Sequence, residues 1–279
     1  MEQDDFTAFE HGGWERAVQP YQDYFERLTT QSNAPLLDAL GVEEGTRFLD
    51  VATGPGFLAA AAASRGAVAT GVDFSAAMIV QARRQYPDID FHEGSAEDMP
   101  FEDGAFDAVG ISFGMLHFSH PEKALSEAFR VIRRGGKIAF TVWAVPEKAI
   151  GFQMVLQAIE AHGKMDLPIP PGPPFFRFSD AEESSRALRD AGFSDPEVRE
   201  VSQTWHIPSP DTPFGPLMRG TVRIAAILNA QTPDALAKIG EAVTESAAPY
   251  RVGGEFKVPM PCILALATKR WRSGALAGT

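Results

Sequence analysis

The chain is poor in cysteine, in positive charge and in long apolar runs, and each shortage removes a class of function. A single cysteine, Cys262, excludes an internal disulfide and a cysteine-built zinc cage. It lies in an apolar stretch and is expected in the core. Lys and Arg number 25 against 37 Asp and Glu, a net charge of −12. Neutralising nucleic-acid phosphates needs a basic face, and the one basic run, Lys269-Arg270-Trp271-Arg272, reads as a solvated tail. No run reaches the roughly eighteen apolar residues of a membrane span. The opening Met1-Glu2-Gln3-Asp4-Asp5 has neither a basic start nor an apolar stretch. These shortages imply a soluble, cytoplasmic protein with no nucleic-acid partner and no membrane insertion. What is present, 44% hydrophobic residues in 279, suffices for a sizeable core.

The most informative segment is Arg47-Phe-Leu-Asp-Val-Ala-Thr-Gly-Pro-Gly56. Phe48, Leu49 and Val51 read as a short buried strand. Gly54 and Gly56 then turn the chain into the Ala-rich helix 57–65, letting backbone amides approach a ligand at a helix N-terminus. Asp50 precedes the glycines. Asp73, in Thr70-Gly-Val-Asp-Phe74, follows by about twenty residues, one strand–helix unit, which aims a carboxylate at a ribose. A nucleoside-containing cofactor is implied.

Strands are expected at 47–51, 68–72, 89–93, 106–112 and 136–142, alternating with helices at 57–65, 76–85 and 121–132. Helices at 14–30 and 34–40 precede them. Beyond Trp143 come helices at 150–162, 180–191, 212–228 and 233–248, and strands at 197–206 and 257–268. Five prolines within 167–174 bar that stretch from helix or central strand. The alternation predicts an α/β, doubly wound, Rossmann-like fold: a mostly parallel seven-stranded sheet with helical N-terminal and C-terminal lid additions. The whole of 1–279 reads as one domain: a helical cap (1–45), a cofactor-binding core (46–145), a helix-rich acceptor region (146–256), a closing strand (257–269) and a tail (270–279).

Gly54-Pro-Gly-Phe-Leu-Ala59 formally fits the dinucleotide fingerprint G-x-G-x-x-A. Against a nicotinamide stand the helical stretch before the first strand and the position of Asp50, which would repel a diphosphate but suits an ammonium. The third contrary feature is the segment Gly94-Ser-Ala-Glu-Asp-Met-Pro-Phe101. With Leu49–Gly56, Gly71–Ser75, Ala96–Phe101 and Phe129–Lys137 in order and at matching spacing, residues 14–145 resemble the class I S-adenosylmethionine-dependent methyltransferases. The resemblance is strongest to the branch of ubiquinone and menaquinone biosynthesis.

The shortage of ligand residues implies no metal, and the resemblance implies S-adenosylmethionine as cofactor and S-adenosylhomocysteine as product. It implies that Asp50 holds the methionyl ammonium, directly or through water, and that Gly54 and Gly56 admit the methionyl and ribose portions. Ala52 stands where the family loop has its first glycine. Asp73 would bind the ribose hydroxyls, with Phe74 and Met78 near the adenine and the Ala96 amide reaching its ring. Ser95 stands where Asp often takes the adenine amino group, a task for Ser95 itself or for Glu97. Ser112 and Phe113 would flank the methionyl part, and Tyr21 would close over the cofactor. Tyr21 and Phe113 also read as plain core, and Asp73 as a helix cap.

Methyl transfer needs a general base only where the acceptor is a hydroxyl or an acidic carbon. His117, just past the fourth strand, is the candidate catalytic residue; its alternative is a helix cap or a gap-filler. His117-x-x-His120 makes a poor metal pair without further ligands. His206 reads as pocket wall or structural residue, and Phe175, Phe176 and Phe178 as an apolar lid wall. Arg219 and Arg223 hold an anionic acceptor group or form a solvated face. No Asn-Pro-Pro-Tyr or Asp-Pro-Pro-Tyr follows the fourth strand, as it does in amino-methyltransferases of DNA and protein. The expected activity is methyl transfer to carbon or oxygen of a small organic molecule, by a chain that leaves homo-oligomerisation open. The rival readings are an NAD(P)-dependent oxidoreductase and a non-catalytic S-adenosylmethionine-binding protein.

Overall fold

The computed structural model of the chain describes residues 4–270. A long helix α1 (Asp5–Thr29) and a short α2 (Asn33–Leu40) lead into the alternating core. That core runs β1 (Arg47–Val51), α3 (Phe57–Ala63), β2 (Val68–Asp73), α4 (Ala76–Gln85), β3 (Asp90–Glu93), β4 (Phe106–Ser112), α5 (Pro121–Val131) and β5 (Ile132–Trp143). Next come α6 (Ile150–His162), α7 (Ala181–Asp190), β6 (Ser194–Val201) and β7 (Thr204–Pro208). The chain finishes with α8 (Phe214–Gly220), α9 (Arg223–Asn229), α10 (Pro233–Ala247), β8 (Arg251–Val252), β9 (Glu255–Pro259) and β10 (Cys262–Thr268).

Seven strands form one sheet in the order β3-β2-β1-β4-β5-β10-β6. The pairs from β3 to β5 are parallel, and β10 is antiparallel to both β5 and β6. β1 is buried at every position but Arg47, as a central parallel strand requires. The strand order reverses between β1 and β4, which leaves a crevice beyond their carboxyl ends. Cys262 is fully buried, as its apolar neighbours require.

Five expectations need correction. The strand expected at 197–206 is two strands, β6 and β7, and that at 257–268 is likewise β9 and β10. Pro261 has no N–H to give a ladder, so β9 and β10 part around it. β9 leaves with β7 and β8 into a separate three-stranded antiparallel sheet. At the matching break, Gln203 is buried and donates through Nε2 to the Leu28 carbonyl at 2.9 Å. The helix expected at 212–228 breaks at Thr221-Val222 into α8 and α9. The first helix starts at Asp5 rather than Trp14, running straight through Gly12-Gly13 and Pro20. A Cβ on Gly13 would stand 2.4 Å from Val222 Cγ1, so tertiary packing of α1 against the α8–α9 junction overrides the weak helix propensity of glycine. Lys269 is not a frayed tail residue. Its Nζ donates to the carbonyls of Phe129 (2.6 Å) and Ile132 (2.7 Å), capping the end of α5. Residues 271–279, which hold the rest of the expected tail, lie outside the described residues.

Candidate functional site

One cavity opens at the carboxyl ends of the parallel strands, where the loops after β1, β2, β3 and β4 converge. Its floor begins with Asp50, near the end of β1 and 1% exposed. Asp50 Oδ2 accepts from the Thr53 hydroxyl (2.7 Å) and the Ala59 amide (3.0 Å), locking the side chain to the loop and to the start of α3. Oδ1 is buried and has no partner. A buried carboxylate oxygen left unpaired costs stability, and burial pushes the Asp50 carboxyl up to about 7. A cationic donor from the cavity would satisfy this oxygen and restore the charge, which is the chemistry of an ammonium.

Asp73, at the end of β2, is fixed in the same way. Oδ2 accepts from the Gly54 amide (2.8 Å) and Oδ1 from the Ser75 amide (2.9 Å), so the carboxylate ties the glycine loop to the start of α4. Burial raises its carboxyl to about 6, and the two amide bonds oppose that rise. Each oxygen retains lone-pair capacity for a second donor, and Asp73 lines the cavity. Ser75, not Asp73, is the cap of α4: its hydroxyl accepts from the Met78 amide at 3.2 Å.

The loop itself is strained where it meets the cavity. Ala52 and Phe113 are non-glycine residues with φ of 55°, and both line the cavity. Such outliers are held only where their surroundings over-determine them. The Phe113 ring packs on Trp143 with centroids 4.1 Å apart.

The cavity gathers Tyr21, Asp50, Ala52, Gly54, Asp73, Phe74 and Met78, and beyond them Ser95, Ala96, Glu97, Ser112, Phe113 and His117. Of the residues expected to hold the cofactor, Gly56 alone is not among those lining the cavity. It has φ of 90°, and a Cβ there would meet Phe91 Cζ at 2.8 Å, so this glycine serves the packing of α3 rather than the cavity. Glu97 spends both oxygens on His120, accepting its amide at 2.7 Å and meeting Nδ1 at 2.9 Å, which leaves Ser95 the freer acceptor. Tyr21, on α1, lies near both Asp50 and Asp73. Burial, with a smaller push from those carboxylates, raises its hydroxyl to about 12.

The far side of the cavity is built by the helices. Trp14 and Phe25 from α1, Trp143, Phe152 from α6, Phe175, and Val222 and Ile224 at the α8–α9 junction make an aromatic and aliphatic wall. Phe175 belongs to it, whereas Phe176 packs beside it on Phe152 and Phe178 is buried against Phe140. His206 is on β7, exposed and paired with Glu255, away from the cavity. His120 pairs with Glu97, and among the described residues no cluster of three or more His, Cys, Asp or Glu could hold a metal.

His117 reaches the cavity between the edge of Trp14 (4.9 Å between centroids) and Phe175 (6.5 Å). Its Nδ1 lies 2.9 Å from Oε2 of Glu10, a fully buried carboxylate on α1. Arg223 donates through Nε to Glu10 Oε1 (2.8 Å) and through its terminal nitrogens to the carbonyls of Pro173 and Leu116. Arg223 is therefore neither a solvated residue nor free to take an anion, and Arg219 is engaged with the Tyr24 hydroxyl and Asp211 outside the cavity. Burial opposes the charge on Glu10, yet His117 and Arg223 outweigh it and hold its carboxyl below the ordinary value. Glu10 is not singled out by the sequence, because Gly12-Gly13 reads as the limit of the helix that in fact begins at Asp5. The available signal was a carboxylate on the same helical stripe as Trp14, Ala17 and Tyr21.

Residues 49–140 match a family model described as a methyltransferase domain. A demethylmenaquinone methyltransferase of Renibacterium salmoninarum is 32% identical over 176 residues, a match spanning 60% of this chain and 74% of that protein. Among solved structures, Haemonchus contortus phosphoethanolamine N-methyltransferase 2, in complex with S-adenosyl-L-methionine, superposes with a TM-score of 0.59 at 20% identity, covering 96% of this chain and 61% of that one. An S-adenosylmethionine-dependent methyltransferase of Thermotoga maritima gives 0.57 at 17% identity, covering 94% and 100%. At such identities these two speak for the fold alone.

Proposed function

The chain belongs to the class I S-adenosylmethionine-dependent methyltransferases, in the branch of ubiquinone and menaquinone biosynthesis, and we propose that it methylates carbon or oxygen of a small aromatic acceptor. The observation that carries this reading is the buried, unpaired Oδ1 of Asp50, a residue that lines the same cavity as His117 and the aromatic side chains of the helical side. The donor set fits the cofactor. Asp50 Oδ1 would take the ammonium, Asp73 the ribose hydroxyls, Met78 and Phe74 the adenine faces, and Ser95 with the Ala96 amide its edge. When bound, the cofactor supplies a methyl activated by its sulfonium, and the C–S electron pair stays on sulfur as the methyl departs.

The protein's own part is to align, to dry and to deprotonate. Trp14, Trp143, Phe152 and Phe175 favour a flat apolar acceptor and exclude water from the transfer path. His117 would remove the acceptor's hydroxyl proton, so that charge grows on the oxygen or on a conjugated ring carbon that attacks the methyl. Base catalysis of this kind contributes about 10²–10⁴-fold. Demethylmenaquinone, in the name of the relative above, is a ring of this general kind and the first acceptor to test, in its reduced hydroxyl form. The reading includes a metal-free reaction and a cytoplasmic setting. Among the described residues no helix is long and apolar enough to cross a membrane.

The test is formation of S-adenosylhomocysteine with reduced quinones and simple phenols as acceptors, in the wild type and in His117→Ala. Turnover that falls by about a hundredfold in the variant, with cofactor affinity nearly intact, supports the reading. Normal turnover in His117→Ala would return His117 to a structural role. Cofactor binding with no turnover on any acceptor would favour a non-catalytic binding protein.

A further inference from the structure

The buried group behind His117 has a definite electrostatic design. Glu10 is fully buried, and its two oxygens face two different partners, Nδ1 of His117 at 2.9 Å and Nε of Arg223 at 2.8 Å. The three residues come from α1, from the turn after β4 and from α9, separated by 107 and 213 positions from Glu10. Arg223 is itself only 13% exposed, so the pair is poorly screened. Nε2 of His117 makes no hydrogen bond among the described residues, and the ring lines the cavity.

We infer that Glu10 and Arg223 are positioning residues that set His117 as a neutral base, Glu10 by fixing Nδ1–H and Arg223 by cancelling the charge of Glu10. This rests on the assignment of His117 as base. A carboxylate accepting from Nδ1–H forces the tautomer whose lone pair is on Nε2, toward the acceptor. An isolated buried carboxylate would also favour the imidazolium, which has no lone pair to offer. Arg223 removes that bias, because the Glu10–Arg223 pair is neutral as a unit. The other charged group facing the ring is Asp73, at the end of β2, which acts at longer range. Trp14 and Phe175 pack edge-on against the ring and carry no charge. In the reaction the acceptor's hydroxyl proton moves to Nε2, and the freed electron pair bonds the methyl through oxygen or, by conjugation, through a ring carbon, as the methyl–sulfur pair stays on sulfur; a methylated ring carbon then loses its own proton to solvent while the acceptor ring regains its hydroxyl form. The resulting imidazolium is stabilised by Glu10 and returns its proton to solvent after product leaves.

Two substitutions pull the ring in opposite directions, which a merely structural role would not do. The readout is the titration midpoint of the His117 imidazole, followed by ¹⁵N NMR on the cofactor-free full-length protein and assigned by its loss in His117→Gln. Glu10→Gln removes the carboxylate and leaves Arg223, so the midpoint falls by about half a pH unit or more. Arg223→Met leaves Glu10 uncompensated, so the midpoint rises by a comparable amount, and Arg223→Lys restores it. Should Arg223→Met fail to fold, Glu10→Gln against Arg223→Lys decides. Midpoints that stay together, or move in the same direction, overturn the inference. Failure of His117 as base is a separate result, read from normal turnover of His117→Ala whatever the midpoints do.

Discussion

The two sides of the cavity are held together in different ways. On the strand-end side, the contacts of the two carboxylates are local. Asp50 bonds Thr53 and Ala59, Asp73 bonds Ser75 and Gly54, and all lie within one strand–turn–helix step of each other. On the helical side, Glu10 meets His117 and Arg223 across more than a hundred positions, and the aromatic wall comes from α1, α6, Phe175 and the α8–α9 junction. A constant cofactor suits a site encoded in short motifs. A variable acceptor suits a wall assembled from distant helices, in which single positions change without disturbing the loops beneath. The cofactor side also stores cost, as two carboxylates raised by burial and two residues at positive φ, whereas the helical side is mostly satisfied packing.

The comparison breaks most readily at Asp73. Asp73→Ala should weaken S-adenosylmethionine by more than about tenfold, since a charge-assisted contact to two hydroxyls is lost along with the tie to Gly54. Titration calorimetry would read this, and unchanged affinity would remove the ribose assignment. Next in size is a pH effect specific to the cofactor side. The carboxyls of Asp50 and Asp73 lie at about 7 and about 6 in the fold, above their ordinary value of 3.8. A raised group stabilises the fold below its unfolded value and loses that contribution as pH rises through the folded one. The cofactor-free protein should therefore melt at a lower temperature at pH 8 than at pH 5, as far as these groups decide. Affinity for the cationic cofactor should move the other way, rising about tenfold from pH 5.5 to 8. Thermal melts and titrations of the wild type across that window check both signs.

The helical side should respond to a different reagent. Phe175→Ala removes one ring of the wall and should raise the acceptor KM about fivefold, roughly 1 kcal/mol of lost burial. Cofactor affinity should stay within about twofold, and equal losses of both would mean that the two sides are not separate. The smallest effect is expected at Ala52. Ala52→Gly relieves the positive φ at some cost in unfolded-chain entropy, for a net gain of up to about 1 kcal/mol by denaturant unfolding.

The same contrast explains what the sequence disclosed. The seven-stranded sheet, the glycine loop and the Asp50–Asp73 pair were legible because period, turn residues and spacing are local signals. Twelve cofactor-side positions and His117 were brought to the cavity as expected, and Gly56 was not, because its steric role depends on Phe91 from a strand two removed. Glu10 was missed because Gly12-Gly13 reads locally as a helix breaker, while Val222 packing on Gly13 fixes the helix from outside. From the sequence Arg223 reads either as the holder of an anionic acceptor group or as part of a solvated face, and it is neither, because its partners lie on elements remote in sequence. The splits at Thr221 and at Pro261 likewise needed the neighbouring layer to show which way the chain would turn.

The central claim is that the free Oδ1 of Asp50 is the anchor for the cofactor's ammonium. Titration of wild type and Asp50→Asn with S-adenosylmethionine at pH 8 tests it most directly, because asparagine keeps the shape and removes the charge. The account predicts a folded variant that melts no lower than the cofactor-free wild type and binds at least about tenfold more weakly. Equal affinity in the two proteins would contradict it.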